Sequence, residues 1–389
     1  MIKRSSEKIL KVIAKEFKIV GITGPRQSGK TTLAKKVFKD KKYVSLENPD
    51  YRFFAEDDPR GFLAQFPHGA IIDEIQYVPK LFSYLQEIVD SSSEIGKYII
   101  TGSQNFNLLE KISQSLAGRI GMLQLLPFSF DEMKNGEIES QNLNEVLYNG
   151  SYPPIHDLHI SPERWYNSYI NTYIERDIRQ LINVRDLSTF QRFLKLCAGN
   201  IGQLVNFSRI GADCGINQQT VSAWLAILEA SYIVFRLYPH HENFRKRLVK
   251  TPKLYFYDTG LASRLLGLEN QEQLFSFNMR GALFENWVIS ELIKFRYNEC
   301  KDRNLYFWRN NTGDEIDIII DKNNGLIPIE VKSGATISTD WFTQLNKWKK
   351  LADDKCLTPY LIYGGELAQH RNNTTILPWL NIDSFIQNI

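Results

Sequence analysis

The amino-acid sequence predicts an α/β protein built around a doubly wound parallel sheet, and two observations support this prediction. In the first third of the chain, short and almost wholly apolar segments alternate with longer amphipathic segments. Strands and helices alternate in this way when both faces of a parallel sheet are covered. A glycine-rich loop also lies between the first apolar segment and the first amphipathic one, where open α/β sheets bind phosphate groups.

Apolar runs and turn residues divide the chain into elements and domains. The predicted strands of the sheet are residues 18–23, 43–46, 70–72, 98–101 and 122–126, and the predicted helices are residues 30–39 and 107–116. At roughly 100–200 residues per domain, 389 residues suggest two to four domains. The predicted domains are a parallel-sheet core at 1–130, a helical lid or linker at 131–200, a module of helices and then strands at 201–270, and a mixed α/β module at 271–389.

Composition excludes several classes of protein. The chain is 43% hydrophobic and 23% charged, which excludes a mainly disordered chain. No apolar run approaches the ~18–20 residues of a membrane span, and the first residues lack a signal-peptide core. The four cysteines show no C-x-x-C spacing and the six histidines no metal-binding pattern, so we expect a reducing cytoplasm rather than a disulfide scaffold. The net charge of +3 identifies no partner.

The glycine-rich loop matches G-x-x-x-x-G-K-[ST] at every fixed position. In such a loop the backbone amides and the positive end of the helix that follows surround phosphate oxygens. We expect Lys30 to reach the β- and γ-phosphates of ATP and Thr31 to bind Mg²⁺. The predicted nucleotide-binding residues are Gly24, Pro25, Arg26, Gln27, Ser28, Gly29, Lys30, Thr31 and Thr32.

Polar residues follow two further strands. Asp73 and Glu74 end the strand at 70–72, where Asp73 can hold the Mg²⁺ shell and Glu74 can polarise the attacking water. Ser103 and Gln104 follow the next strand. Either of them can orient the water, or both are an ordinary polar strand end.

Arg119 precedes the last strand of the predicted sheet. An arginine at this position can project from the edge of one subunit and stabilise phosphoryl charge in a neighbouring subunit. The alternative is a solvated or helix-capping arginine.

The chain resembles AAA-type P-loop ATPases of bacteria and archaea, whose loop reads G-P-R-Q-x-G-K-T-T and is followed by D-E-I-Q and T-G-S. Residues 24–32, 73–76 and 101–103 match these motifs, and residues 116–119 and 125–129 match L-x-G-R and L-x-P-F-S. Residues 173–177, 257–261 and 281–285 look like the uncharacterised C-terminal domain that accompanies this ATPase type. The resemblance covers nearly the whole chain. It implies ATP binding, slow hydrolysis and an unknown client.

The module at 201–270 looks like a winged helix. A helix is predicted over 202–211 and a second over 217–228, which Asn217 can cap and whose apolar residues recur at helical spacing. Polar residues at the second N-terminus, with Arg245, Arg247 and Lys250 between the two strands that follow, are typical of a module that reads DNA. Because the second helix carries no arginine or lysine, a packing module without nucleic acid is the alternative.

The C-terminal module resembles nucleases of the PD-(D/E)xK fold. Two strands place Asp317 opposite Glu330 and Lys332 if they are neighbours, and alternation puts Glu330 and Lys332 on one strand face. Asp317, Glu330 and Glu285 can bind Mg²⁺, and Lys332 can orient water. The alternatives are an inactive binding or scaffold domain and a salt-bridged pair of strands.

Together these predictions describe an AAA-type ATPase with a helical lid, a winged helix and a nuclease-like α/β module. The favoured function is ATP- and Mg²⁺-dependent engagement of DNA, with metal-dependent cleavage as an extension. The first alternative is a nucleotide-switched regulator that acts on a protein client through an inactive nuclease fold. The second is a plain ATPase whose C-terminal half shapes a homo-oligomer. No membrane partner is expected.

Overall fold

The computed structural model describes residues 2–103, 115–138, 140, 142–178, 186–240 and 249–389. Gln104, most of the helix predicted at 107–116, and the basic residues Arg245 and Arg247 lie outside the described residues. No helix in the described ranges is both long enough and apolar enough to cross a membrane.

The N-terminal part is a five-stranded parallel sheet in the order β2-β3-β4-β1-β5. Its strands are β1 (Ile19–Thr23), β2 (Lys42–Ser45), β3 (Ala70–Asp73), β4 (Tyr98–Gly102) and β5 (Ile120–Gln124). Its helices are α1 (Glu7–Glu16), α2 (Lys30–Val37), α3 (Pro49–Asp57), α4 (Pro59–Ala64) and α5 (Leu81–Asp90). The predicted α/β class is confirmed. Because all five strands are parallel, their carboxyl ends meet at one edge, where the glycine-rich loop lies.

Helices dominate the next part of the described chain. They are α6 (Phe130–Asn135), α7 (Leu143–Asn149), α8 (Pro153–Asp157), α9 (Pro162–Tyr169) and a π-helical turn at Ile170–Ile178. Next come α10 (Leu187–Gly199), α11 (Phe207–Cys214), α12 (Gln218–Ala230), the antiparallel strands β6 (Val234–Leu237) and β7 (Lys253–Phe256), and α13 (Thr259–Leu265). Asn217 caps α12 as expected, because its Oδ1 accepts a hydrogen bond from the Thr220 amide at 2.8 Å.

The helix predicted over 202–211 is wrong in its bounds. The helix begins at Phe207, because the Asn206 side chain caps it by accepting a hydrogen bond from the Arg209 amide at 2.9 Å. The preceding residues pair with strand β7 instead, through bridges of Ile201 and Leu204. Tertiary strand pairing therefore outweighs helix propensity at the start of this segment.

The C-terminal part contains one long helix, α14 (Arg280–Asn298), and a mixed six-stranded sheet in the order β12-β13-β11-β10-β9-β8. Its strands are β8 (Leu305–Arg309), β9 (Glu315–Lys322), β10 (Gly325–Lys332), β11 (Tyr360–Tyr363), β12 (Gln369–Arg371) and β13 (Thr374–Pro378). Helices α15 (Thr343–Ala352) and α16 (Ile382–Gln387) complete it. Strands β9 and β10 pair antiparallel across a turn, so they are neighbours, which was the condition for Asp317 to lie near Glu330 and Lys332.

The hydrophobic core shows how these parts are joined. Two clusters of buried apolar residues fill the two faces of the parallel sheet. A third and larger cluster runs without interruption from Leu126 through α9, α12 and α14 to Phe385. The regions that follow the parallel sheet are therefore packed as one body, because burial of apolar surface is shared between them.

Gly150 permits the close approach of two of these regions. It has a φ of +62°, and a Cβ there would lie 2.1 Å from the Tyr166 hydroxyl and 2.6 Å from an Asp258 carboxylate oxygen. Asp258 itself accepts hydrogen bonds from Tyr166 and from the Ser151 amide, at 2.6 and 2.8 Å. A side chain at this glycine would thus break a buried polar contact.

We expect Gly150→Ala to destabilise the protein by about 3 kcal/mol or more, since its backbone conformation, with φ +62° and ψ −156°, is nearly restricted to glycine, and this strain and overpacking each cost about 1–3 kcal/mol. Gly267→Ala is the matched control, because Gly267 also has a positive φ of +84° but would meet nothing within 4 Å. It should cost only about 1–2 kcal/mol. Urea unfolding measures both variants, and equal losses would show that the contact at Gly150 contributes nothing.

Candidate functional site

The glycine-rich loop connects β1 to α2 at the carboxyl edge of the parallel sheet. Gly24 has a φ of +151°, and a Cβ there would lie 2.0 Å from the Leu125 carbonyl oxygen. Gly29 has a φ of +92° and is the residue directly before α2, which begins at Lys30. A cavity of about 440 Å³ opens here, lined by Arg26, Gln27, Gly29, Lys30, Thr31, Thr32, Glu47, Asp73, Glu74, Pro153, Pro154, Asp157 and Leu158. The loop and the acidic strand end thus share one cavity.

Lys30 lies inside the loop. Its ammonium donates hydrogen bonds to the carbonyl oxygens of Gly24 and Pro25, at 3.1 and 2.8 Å. Burial lowers the pKa of Lys30, and the nearby carboxylates of Glu74 and Asp73 oppose this effect. The nearby Ser28 hydroxyl is buried without a hydrogen-bond partner in the described part of the chain. A loop with an enclosed cation and an unpaired donor fits an anionic ligand such as a phosphate.

Asp73 accepts hydrogen bonds from three neighbouring elements. Thr31 Oγ1 donates to its Oδ1 at 2.9 Å, the Tyr43 hydroxyl donates to its Oδ2 at 2.8 Å, and Thr101 also donates to it. A threonine hydroxyl and a carboxylate side by side are oxygen ligands of the type that Mg²⁺ takes. The donor set therefore fits the predicted metal, which Thr31 and Asp73 would hold together with nucleotide phosphates.

Tyr43 and Thr101 are site residues that sequence reasoning missed. Burial raises the pKa of Tyr43 to about 12, and its hydrogen bond to Asp73 adds to the effect. The signal that could have found them is the strand order, because β2 and β4 flank β3 and carry these residues beside Asp73.

Glu74 is held in place by its neighbours. Its Oε2 accepts hydrogen bonds from the Ser103 hydroxyl at 2.9 Å, from the Ser103 amide at 3.3 Å and from Gln76. Its φ of +53° is uncommon for a residue with a side chain and is typical of functional sites that the surrounding structure constrains. Ser103 therefore orients the carboxylate of Glu74, which can in turn orient a water.

The helical region contacts the middle of the loop. The Trp165 indole donates a hydrogen bond to Gln27 Oε1 at 3.1 Å, and Gln27 has a φ of +63°. Arg26 forms an ion pair with Glu47 at 3.2 Å and lies 5.7 Å from the centre of the Tyr173 ring. Two of the predicted nucleotide-binding residues thus lie directly under the region predicted to act as a lid.

Arg119 lies at the amino ends of the strands, on the opposite side of the sheet from the glycine-rich loop. Its carbonyl oxygen accepts a hydrogen bond from the amide of Ile19, the first residue of β1. Its guanidinium forms a bidentate ion pair with Asp90, at 2.5 and 2.8 Å. Arg119 is therefore remote from the loop of its own chain.

The predicted C-terminal residues form a second cluster, here called the acidic cluster, made of Glu285, Asp317, Glu330 and Lys332. The Lys332 ammonium lies 2.7 Å from Glu330 Oε2 and 3.5 Å from Asp317 Oδ2. Burial raises the pKa of Glu285 to about 7. It also raises the pKa of Glu330 well above its usual range, and the Asp317 carboxylate adds to this second shift.

Sequence reasoning missed Lys253, which enters the acidic cluster from strand β7. Its ammonium lies 3.2 Å from Glu285 Oε1 and also pairs with Glu315, and the Tyr255 hydroxyl bonds Glu285 as well. Burial lowers the pKa of Lys253, but the carboxylates around it outweigh burial and raise the pKa overall. The available signal was alternation in β7, which puts Lys253 and Tyr255 on one face.

The acidic cluster does not fit a divalent metal as it is arranged. Its acids are bonded to Lys253 or to Lys332. Across the described residues, no three histidine, cysteine, aspartate or glutamate side chains are placed to hold a metal ion together.

Three family models match consecutive parts of the chain. An AAA domain matches residues 16–134, and two domains of unknown function, DUF8612 and DUF4143, match residues 140–272 and 280–382.

Uncharacterized proteins of Mycobacterium bovis and Mycobacterium tuberculosis are each 30% identical to the chain over 325 residues, which cover 82% of this chain and 71% of theirs. An uncharacterized protein of Haemophilus influenzae is 25% identical over 312 residues, which cover 71% of this chain and 74% of its own. A solved Walker-type ATPase of Pyrococcus abyssi is 14% identical with a TM-score of 0.44, and it covers 68% of this chain and 96% of its own. That structural likeness is too low to extend the fold assignment.

We expect Lys30→Ala to weaken ATP binding by about 10- to 150-fold, because charge-assisted hydrogen bonds contribute about 1.5–3 kcal/mol. Lys39→Ala is the control, since Lys39 is exposed just after the same helix. Titration with a fluorescent ATP analogue measures both. Unchanged affinity in Lys30→Ala would place the nucleotide elsewhere.

Proposed function

We propose that this chain, which belongs to the family of the two mycobacterial proteins and carries an AAA-type P-loop ATPase domain at residues 16–134, binds ATP with Mg²⁺ and hydrolyses it. The observation that carries this proposal is the hydrogen bond of 2.9 Å between Thr31 and Asp73, beside a Glu74 that Ser103 holds. Together these residues offer a cation site and a base at the mouth of a phosphate-binding loop.

The residues of the loop divide the work of hydrolysis. Backbone amides of residues 24–32 surround the phosphates, and Lys30 exchanges its bonds to loop carbonyls for bonds to phosphate oxygens. Thr31 and Asp73 hold Mg²⁺, which neutralises phosphate charge when it is bound. Glu74 accepts a proton from the attacking water and is aimed by Ser103.

Arg119 serves a neighbouring subunit in this proposal. It lies at the far edge of its own sheet, so a finger role requires a second copy of the chain. The proposal therefore includes a homo-oligomer in which the Asp90 ion pair opens.

The four cysteines are free thiols, which supports a reducing cytoplasm as the site of action.

We propose DNA as the client, contacted by the winged-helix-like module of α11, α12 and the β6–β7 hairpin. The supporting observation is the exposed N-terminal face of α12, which presents Gln218, Gln219 and Ser222 while its apolar residues are buried. Such a face suits groove contacts. The alternative is a protein client, with the same face as a packing surface. Metal-dependent cleavage by the C-terminal module stays a prediction. It would require the acids of this module to leave their lysine partners.

Glu74→Gln should lower ATP hydrolysis by about 10²–10⁴-fold, the usual contribution of a general base, and should leave ATP affinity within about threefold. Ser103→Ala removes only the hydrogen bond that positions Glu74 and should lower the rate by about tenfold. Steady-state phosphate release and nucleotide titration measure the two effects. Full activity in Glu74→Gln would assign the base to another residue.

The DNA proposal predicts that Gln219→Glu with Ser222→Glu weakens duplex binding by at least tenfold, because added negative charge faces the phosphate backbone. Ser276→Glu adds a like charge at an exposed position outside this module and should leave binding unchanged. Fluorescence anisotropy at two salt concentrations measures affinity and its salt dependence. Salt-insensitive or absent binding, with protein partners recovered by pull-down, would favour the regulatory alternative.

A further inference from the structure

Lys253 reaches the acidic cluster from outside the C-terminal module. It begins strand β7, where its backbone pairs with Leu237 of β6 and bridges to Leu204. Its side chain extends past the Phe307 ring, 5.4 Å from the ring centre, to Glu285 and Glu315. The residue is only 2% exposed. Strand pairing therefore fixes where this ammonium lies, and solvent does not reach it.

Charge explains why a lysine stands among these carboxylates. Several buried or half-buried acids close together repel one another unless cations lie between them. Lys332 supplies one cation on the side of Glu330 and Asp317, and Lys253 supplies the other on the side of Glu285. A divalent metal bound by Glu285 would lie close to the Lys253 ammonium, and the two cations would repel each other.

We propose that Lys253 is the resident cation of the acidic cluster, and that Glu285, Asp317 and Glu330 bind no divalent metal while its ammonium is in place. The ionic contact then joins the β6–β7 hairpin to helix α14 and strand β9 as a structural link. Metal chemistry at this cluster requires withdrawal of Lys253. This inference does not depend on ATP hydrolysis.

Manganese binding tests the proposal without any assay of activity. Bound Mn²⁺ per chain is counted by electron paramagnetic resonance of the free ion, at neutral pH and without nucleotide. Wild type and Asp317→Asn should bind equal amounts. Lys253→Met should bind one more Mn²⁺ per chain, and Asp317→Asn added to Lys253→Met should remove it. The loop site is the same in every variant and cancels in these comparisons.

Lys349→Met is the control for loss of a lysine, because Lys349 is exposed on α15 of the same module. It should bind as wild type does. A site in wild type that Asp317→Asn removes would overturn the proposal, and this comparison needs no variant of Lys253. A Lys253→Met protein with wild-type circular dichroism that gains no Mn²⁺ would overturn it as well.

Discussion

The arrangement of the whole chain depends on the hydrogen bonds that the backbone makes after it leaves strand β5 and the parallel sheet. Residues 126–130 are buried, so each of their polar groups needs a partner. The Arg4 guanidinium bonds the carbonyl oxygen of residue 126 at 2.6 Å, and the Lys294 ammonium bonds that of residue 128 at 2.9 Å. Glu291 Oε2 accepts a hydrogen bond from the amide of residue 130 at 2.7 Å. Removal of one such charge would leave its partner buried and unpaired, which is costly.

These charges show which part of the fold a sequence can predict. The parallel sheet was predictable because each strand is a local apolar run, and the loop because its glycines and lysine have fixed spacing. Glu291 and Lys294 look in the sequence like a surface pair on a helix, yet they are 3% and 2% exposed. Burial of a charge depends on partners more than a hundred residues away, and no local pattern reports it. The predicted start of α11 failed for the same reason, since pairing with β7 decided it.

The nucleotide site and the acidic cluster differ in the same respect. Asp73, Glu74 and Ser103 were predictable because all three follow strands whose ends must meet at one edge. Tyr43 needed the strand order in addition. Alternation in β7 puts Lys253 and Tyr255 on one face, but the position of Lys253 beside Glu285 also needed the register between two modules, which no spacing in the sequence contains. Lys332 lies near Asp317 and Glu330, but the cation beside Glu285 belongs to another part of the chain.

Both ends of the glycine-rich loop are tied to parts of the chain beyond the sheet. Thr23, just before the loop, shares a hydrogen bond of 2.9 Å with the Tyr232 hydroxyl, and the Ser28 carbonyl oxygen accepts one of 2.8 Å from Arg4. Tyr232 has a φ of +57°, a conformation that persists only where its surroundings fix it. It comes two residues before β6, whose partner strand carries Lys253. The carbonyl oxygens that Lys30 contacts, those of Gly24 and Pro25, lie between these two anchors in the chain. The β6–β7 region therefore contacts both the strand that leads into the loop, through Tyr232, and the acidic cluster, through Lys253.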